Sequence, residues 1–469
     1  MRSPAANPAT RSSSWLRVRE FAVPPSMIQL ATARRAVGDW AGACAAARVD
    51  VDVDLRSVAR DHGRELTDRL RTDLRHLAPD LLRWHLPRIA PDGLLRPGLT
   101  ISLARYDPGR HPDGPVHLVV RTPPAWADGG QRFSLALWDG SRSGTATRRH
   151  PHPHPDRRFR LDLHRHLWDA RRAAELRVRA GADRPTTDAP EPSEAAGRRR
   201  GWAVHRWAAE AALLLAAEGR GSGPVDVRIG TRRRLRIEVP PAGGGPPEVR
   251  VALSPARGRA DGRRGATCPG GAMPVLPDAA TWESPDLELL RSGLIDVDRL
   301  HPLVASALAP GRRPDTATRP TDLAGQVRPV RCRGATHRIG LADGTLVALD
   351  HDPAEIRREE LLAALTGTPL PCLRAIDEAH RHPESLPDIR ARLDHGDTAG
   401  ALALVEALLG PDALVRAGAL RDELETAAQA RVTYGLFRTG LAGLGPGPAV
   451  AQPRRTRDRR SRPRHGIAR

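Results

Sequence analysis

Apolar positions change their spacing several times along the chain, and each change marks an element. From Asp54 to Leu77, the residues Leu55, Val58, Ala59, His62, Leu66, Leu70, Leu74 and Leu77 share one face, with Arg, Asp and Glu filling the rest. That spacing predicts a helix of several turns capped by Asp54. Ahead of it, "VPPSMIQLATARRAVGDWAGACAAA" predicts a helical hairpin that begins at Pro25 and Ser26, breaks at Gly38 and restarts on Asp39 as a cap. "PDLLRWHLPR" (Pro79 to Arg88) closes this helical part. The period then drops to two. Leu99 to Tyr106, Val116 to Thr122 and Arg132 to Trp138 predict a three-stranded meander, with Arg158 to Leu163 as a fourth strand and a helix over "HRHLWDARRAAELRVRA".

Further along, a helix is expected around Trp202 to Glu218. Short strands follow at Val225 to Ile229, Arg234 to Val239 and Val249 to Leu253, then two helices within Ser284 to Gly311. "THRIGLADGTLVALDH" (Thr336 to His351) places Asp343-Gly344 between two alternating runs, the signature of a tight hairpin. From Asp352 onward the pattern is helical. The fold class this implies is α+β, with helical hairpin units at both ends flanking small antiparallel sheets. The expected divisions are a disordered arm (1–24), a helical unit (25–90), an α+β meander unit (91–180), a linker (181–200), a second α+β unit (201–311) with a mobile loop (254–271), a linker (312–328), a β-hairpin plus helical unit (329–445) and a disordered basic tail (446–469).

Two stretches echo each other: "RRAVGDWAGACAAA" (Arg34 to Ala47) and "RLDHGDTAGALALV" (Arg392 to Val405). In both, glycine ends one helix, aspartate caps the next, and small residues allow close packing. The reading is shared turn chemistry, since no third copy lies between them and a solenoid needs about three. Leu408 to Ala428, "LLGPDALVRAGALRDELETAA", is weakly similar to an ankyrin-type helical repeat but lacks its Thr-Pro-Leu-His signature. Over most of its length the chain resembles a family of high-GC actinobacterial proteins to which no activity is assigned, through strings such as "REFAVPPSMI", "APDLLRWHLPR", "LARYDP", "VVRTPPAWADGGQR", "DLHRHLWDARRA" and "ALDHDPAEIRREELLAALTG". That resemblance implies no activity, cofactor or catalytic residue.

Composition changes the picture in one respect. The net charge of +19 suggests an acidic partner, but every basic residue among the 74 is arginine and asparagine occurs only at Asn7. Strong GC pressure on codons accounts for part of that excess. The absence of lysine also excludes an ordinary Walker A loop, a protein-kinase site and a pyridoxal phosphate Schiff base. Cys44, Cys268, Cys332 and Cys372 include no C-x-x-C pair, which argues against a zinc knuckle or a disulfide framework and suits a reducing cytoplasm. The N-terminal stretch shows no apolar core of a signal peptide, and the most apolar helix, Trp207 to Gly219, is too short to cross a bilayer.

Candidate chemistry is sparse. His150, His152 and His154 alternate with proline and are weak metal candidates, set against a solvated loop. His164, His166, Asp162 and Asp169 suggest ligands or an acid/base pair, but read more simply as surface groups. Asp350, His351 and Asp352, with Glu355, bracket a histidine with carboxylates as a general acid/base site would. They also form an ordinary helix start with Asp352 as cap. Cys332 and Cys372 read as buried packing. No G-x-S-x-G motif supports Ser141, Ser143 or Ser254 as a nucleophile. Arg198 to Arg200, Arg232, Arg233, Arg234, Arg454 and Arg455 are weak phosphate-contact candidates. The expected function is a cytoplasmic, non-catalytic interaction or accessory module with a protein partner, no cofactor and no membrane association. The alternatives are nucleic-acid binding through the arginines and a hydrolase built on Asp350, His351 and Asp352.

Overall fold

The computed structural model describes residues 8–107, 114–140, 150–183, 201–230, 233–241, 254–255, 273–311 and 328–442. Its first part opens with α1 (Pro8–Phe21), α2 (Pro25–Ala36) and α3 (Trp40–Ala46), then β1 (Val49–Asp52), α4 (Leu55–His76) and α5 (Pro79–His85). Asp39 accepts from Gly42 N–H at 2.8 Å, and Asp54 accepts from the amides of Arg56 and Ser57. Both aspartates therefore start helices. Helix α4 kinks at Gly63 (φ +83°) and still buries Val58, Leu66, Leu70 and Leu74 on one face.

A two-stranded ribbon, β2 (Arg88–Ile89) and β3 (Leu94–Leu95), leads into β4 (Thr100–Tyr106), β5 (Val116–Arg121) and β6 (Phe133–Trp138). These three strands form the expected antiparallel meander. The fourth strand of the sheet is β1, parallel to β6 with Val49 opposite Phe133, so the order is β1-β6-β5-β4. Residues 158–163 do not take that place. They pair with β4 through a single Ser102–Arg160 bridge and curl into a 3-10 turn at Leu161–Leu163 that packs against β4. Asp162 there is held by Arg160, and Trp168 Nε1–H donates to Leu161 O at 3.0 Å, contacts that favour a compact turn over a strand. The predicted long helix that follows is likewise broken into 3-10 turns, with only α6 (Leu176–Ala180) helical.

Beyond it, α7 (Val204–Ala217) packs on β7 (Gly223–Arg228), β8 (Arg233–Val239) and β9 (Ser254–Pro255), with α8 (Asp278–Thr281) alongside. The predicted run 249–253, the linkers' central residues and the basic tail lie outside the described residues. Trp207, Leu214, Leu215, Val225, Val227 and Ile237 fill this small core. Next come α9 (Pro285–Arg291) and α10 (Pro302–Leu308), which leave that core. Leu287, Leu289, Val304 and Leu308 join the main core with Val18, Leu70, Trp84 and Leu118. There α9 packs beside α1, while α10 packs on α6 and the 3-10 turn at Ala173–Glu175.

The last part holds β10 (Arg328–Cys332), β11 (Ala335–Ala342) and β12 (Thr345–Ala348), followed by α11 (Pro353–Thr366), α12 (Pro371–Arg381), α13 (Leu386–Asp394), α14 (Thr398–Leu409) and α15 (Ala419–Thr439). Asp343 and Gly344 both take positive φ (50° and 74°), as the tight hairpin requires. In the second Gly-Asp turn, Asp397 accepts from Gly400 N–H at 3.1 Å. That turn also docks on the first part of the chain: a Cβ at Gly396 would sit 2.1 Å from Gly130 O. Nearby, Asp50 on β1 receives Tyr434 O–H and Arg132, while Arg438 clasps Asp52.

The expectation of a disordered arm over residues 1–24 is corrected by α1. Val18, Phe21, Ala22 and Val23 are buried, and Arg19 reaches a carboxylate far along the chain. Asp286, wholly buried on α9, accepts from Arg19 Nε at 2.7 Å and Nη2 at 3.0 Å and from Trp84 Nε1 at 3.1 Å, with His85 Nε2 at 3.6 Å. Burial raises its proton affinity, but Arg19 and His85 outweigh that and hold the carboxyl at about 2. This stabilisation is complete above the ordinary value of 3.8 and is lost as pH falls from there through about 2.

Asp286→Ala strands a buried guanidinium and is expected to cost about 3–5 kcal/mol, measured by urea unfolding, while the wild type should lose a smaller increment as pH falls from 3.8 through about 2. Gly396→Ala should cost more than the roughly 1–2 kcal/mol of a left-handed alanine, because the methyl also meets Gly130. Its readout is earlier proteolytic release of the 328–442 unit.

Candidate functional site

The three residues singled out at the start of α11 separate in space. Asp350 turns to Arg338, accepting from Nε at 2.8 Å and Nη2 at 2.9 Å, which lowers its proton affinity. Asp352 caps α11, accepting from Ala354 N–H at 2.9 Å. Only His351 points inward. No acid/base pair is formed by this trio, because Asp350 is taken up by Arg338 and Asp352 by the amide of Ala354.

His351 instead meets Cys332, at the end of β10, and Cys372, in the first turn of α12. One donor atom from each lies within 4.8 Å of the other two. The β10–β11 hairpin turns on Arg333 (φ 51°) and Gly334 (φ 86°), which aims Cys332 inward. Pro371 starts α12 with Cys372 immediately behind it. Both thiols are buried and free. Burial, then the adjacent Cys332, pushes the Cys372 thiol up to about 11. The ring of His337, from β11, stacks on His351 at 3.9 Å. Glu355 Oε2 stands 3.6 Å from His351 Nδ1. Two buried thiols and the buried His351 imidazole, with the half-buried His337 ring stacked on it, can hold a soft or borderline metal ion, and the thiols can pair oxidatively.

The other candidates are structurally engaged. His150 is buried, donating from Nε2 to Thr122 O at 2.9 Å and accepting at Nδ1 from His152 N–H at 3.2 Å. His154 sets its edge against Trp138. The three alternate histidines therefore face different partners and share no centre. His164 and His166, expected at the surface, are buried: His164 Nε2 lies 3.2 Å from Glu210, which also holds Arg179 at 2.7 Å. Burial opposes ionisation of Glu210, yet His164 and Arg179 keep its carboxyl at about 2. Arg234 on β8 is answered by Asp226, as is Arg236. Arg233 belongs to β8, whereas Arg232, Arg454, Arg455 and Arg198 to Arg200 lie outside the described residues. A cleft of about 480 Å³ beside α4 is lined by Glu65, Asp68, Asp73, Tyr106 and Arg165, and its Asp73 is already engaged by Tyr106 O–H and Arg165.

The sequence reading missed the Cys332, His337, His351 and Cys372 cluster. Its donors are spaced C-x4-H-x13-H-x20-C, which matches no paired-ligand motif. The only local clue was the predicted hairpin, which carries two of the four donors. No family model, curated protein or solved structure matches the chain.

Removing the cap by Asp352→Ala is expected to cost about 1 kcal/mol, or roughly fivefold faster amide exchange in the first turn of α11. Asp350→Ala should leave that exchange unchanged.

Proposed function

We propose that the chain is a non-catalytic interaction or accessory module, with its partner-binding surface on the 328–442 unit. One observation carries this reading. Helix α11 spans 14 residues and none of them is buried. Leu361, Leu362 and Leu365 are 65, 49 and 86% exposed and lie on one face. An isolated helix of this length is marginal in water, and helices in proteins draw most of their stability from an apolar face packed on something else. Three leucines turned outward fit a partner protein with an apolar groove, the helix-in-groove mode. The resemblance of Leu408 to Ala428 to a helical-repeat unit points the same way. So does the engagement of Asp350 and Asp352 in an ion pair and a cap, which removes support from a hydrolase. Among the described residues no helix is long and apolar enough to cross a membrane.

The test is a photo-cross-linkable residue placed at Leu365 and expressed in the native host, with and without nuclease. A discrete protein adduct that survives nuclease, and falls at least tenfold in Leu361→Glu/Leu362→Glu, is expected. Both substitutions are exposed and should shift stability by no more than about 0.5 kcal/mol. No adduct, an adduct unchanged by the substitutions, or recovery of nuclease-sensitive material alone would overturn the proposal, the last in favour of nucleic-acid binding.

A further inference from the structure

We propose that Cys332, His351 and Cys372 form a structural zinc(II) site, completed by His337 once its ring turns out of its stack on His351, that pins the β10–β11–β12 sheet to α12.

The first support is the state of the donors. His351 is nine-tenths buried, and neither of its ring nitrogens has a hydrogen-bond partner. The buried Nδ1 of His337 has none either. A buried imidazole without a partner loses its hydration for nothing in return, at a cost of roughly 1–3 kcal/mol. His351 is such a ring, with the half-buried His337 stacked on it and two free thiols beside it. Packing alone accounts for the cysteines but leaves both imidazoles unexplained. A metal ion satisfies all four residues together.

The second support is the poverty of the local core. Along β10 only Cys332 is buried, β12 buries nothing, and α11 buries nothing. The apolar core of the unit lies further on, among Leu386, Ile389, Leu393, Ala401, Val405, Leu409 and Leu420 of α13 to α15. The sheet therefore sits on the helical array with little apolar area beneath it. Small folds with too little core are commonly held by a disulfide or a metal. The four donors come from β10, β11, the segment after β12 and the start of α12, so one ion would tie every strand connection to the first helix of the array.

The donor set selects the metal. Thiolate and imidazole together favour zinc, which takes four ligands in tetrahedral geometry at about 2.3 Å to sulfur and 2.0–2.1 Å to nitrogen. Those lengths place neighbouring donors roughly 3.4–3.8 Å apart. The Cys332, His351 and Cys372 donors, now within 4.8 Å of one another, must close to that by side-chain rotation, and the His337 ring must leave its stack on His351 to join them. Two thiolates cancel the charge of the ion, which suits a buried position. Two of the surrounding cations are already paired, Arg338 with Asp350 and Arg333 with Glu355 and Glu359. Glu355 approaches Nδ1 of His351, the place of a carboxylate that fixes a ligand's tautomer and leaves Nε2 for the metal, so it is a positioning residue. With His337 turned in as the fourth donor no coordination position stays open, so the role is structural.

The experiment uses the full-length chain, purified without chelators and exchanged into metal-free buffer. One zinc per chain by elemental mass spectrometry is the expected result. Cobalt(II) replacement should give the thiolate charge-transfer and intense visible bands of a tetrahedral S2N2 site. Zinc should shield Cys332 and Cys372 from alkylation until a chelator removes it. Cys372→Ser and His351→Ala should lose the metal, whereas Cys44→Ala should keep it. Glu355→Gln should retain the stoichiometry with at least about tenfold weaker affinity. Because the cobalt spectrum and the alkylation pattern are read on the wild-type chain, a misfolded variant does not blur the answer. Zinc at background level, cobalt spectra without thiolate bands, metal kept by the Cys332→Ser/Cys372→Ser double variant, or a Cys332–Cys372 disulfide in cells quenched with an alkylating agent would each overturn the proposal.

Discussion

A single carboxylate, Asp286, organises the larger part of this molecule. It is fully buried and is bonded by Arg19 from α1 and Trp84 from α5, with His85 close by. A carboxylate taken out of water alone would be prohibitively costly, and its compensation exists only when all three segments are in place. Residues 19, 84 and 286 are far apart in sequence, so this polar network enforces one register among helices whose apolar faces would tolerate several. Asp80 repeats the arrangement on a smaller scale, accepting from His301 Nε2 at 2.9 Å with Arg35 Nη1 at 3.7 Å. The helices α9 and α10 are held to the N-terminal core by these two acids as much as by their leucines.

A chain with arginine as its only long cation builds its interior accordingly. Arg83 is buried and donates from Nε to Ala47 O at 2.9 Å while its guanidinium lies over Phe133. Arg165, Arg179 and Arg158 each bind a carboxylate and fix one segment against another. Guanidinium suits this work because it is weakly hydrated, planar and rich in donors. Many of these arginines thus serve as internal ties, each cancelled by the carboxylate it binds. The contacts at Gly130 and Gly396 and the Asp50, Tyr434 and Arg438 network extend the same scheme to the junction with the 328–442 unit.

Local signals carried a good deal of the architecture. The caps Asp39, Asp54, Asp352 and Asp397, the Asp343-Gly344 hairpin and the three-strand meander all follow from the chemistry of a few adjacent residues. The two Gly-Asp turns do share a capping mechanism, yet their environments differ. Each aspartate takes an arginine five residues back, Arg34 or Arg392, but Asp39 stands at the surface whereas the turn at Gly396 is pressed against Gly130. Their identical residues gave no hint of this, because the difference lies in what arrives from elsewhere.

What the sequence by itself determined was therefore short-range: which residues cap, turn, alternate or share a face, since those depend on backbone geometry within a few positions. The long-range pairings belonged to the tertiary structure. The parallel placement of β1 beside β6, the burial of α1 and the meeting of Cys332, His337, His351 and Cys372 each join segments whose sequence separation is set by loop length, and loop length costs little free energy. A histidine beside two aspartates reads locally as acid/base chemistry. Only the direction in which the fold turns each side chain, Asp350 to Arg338, Asp352 to the helix end and His351 to the thiols, decides otherwise.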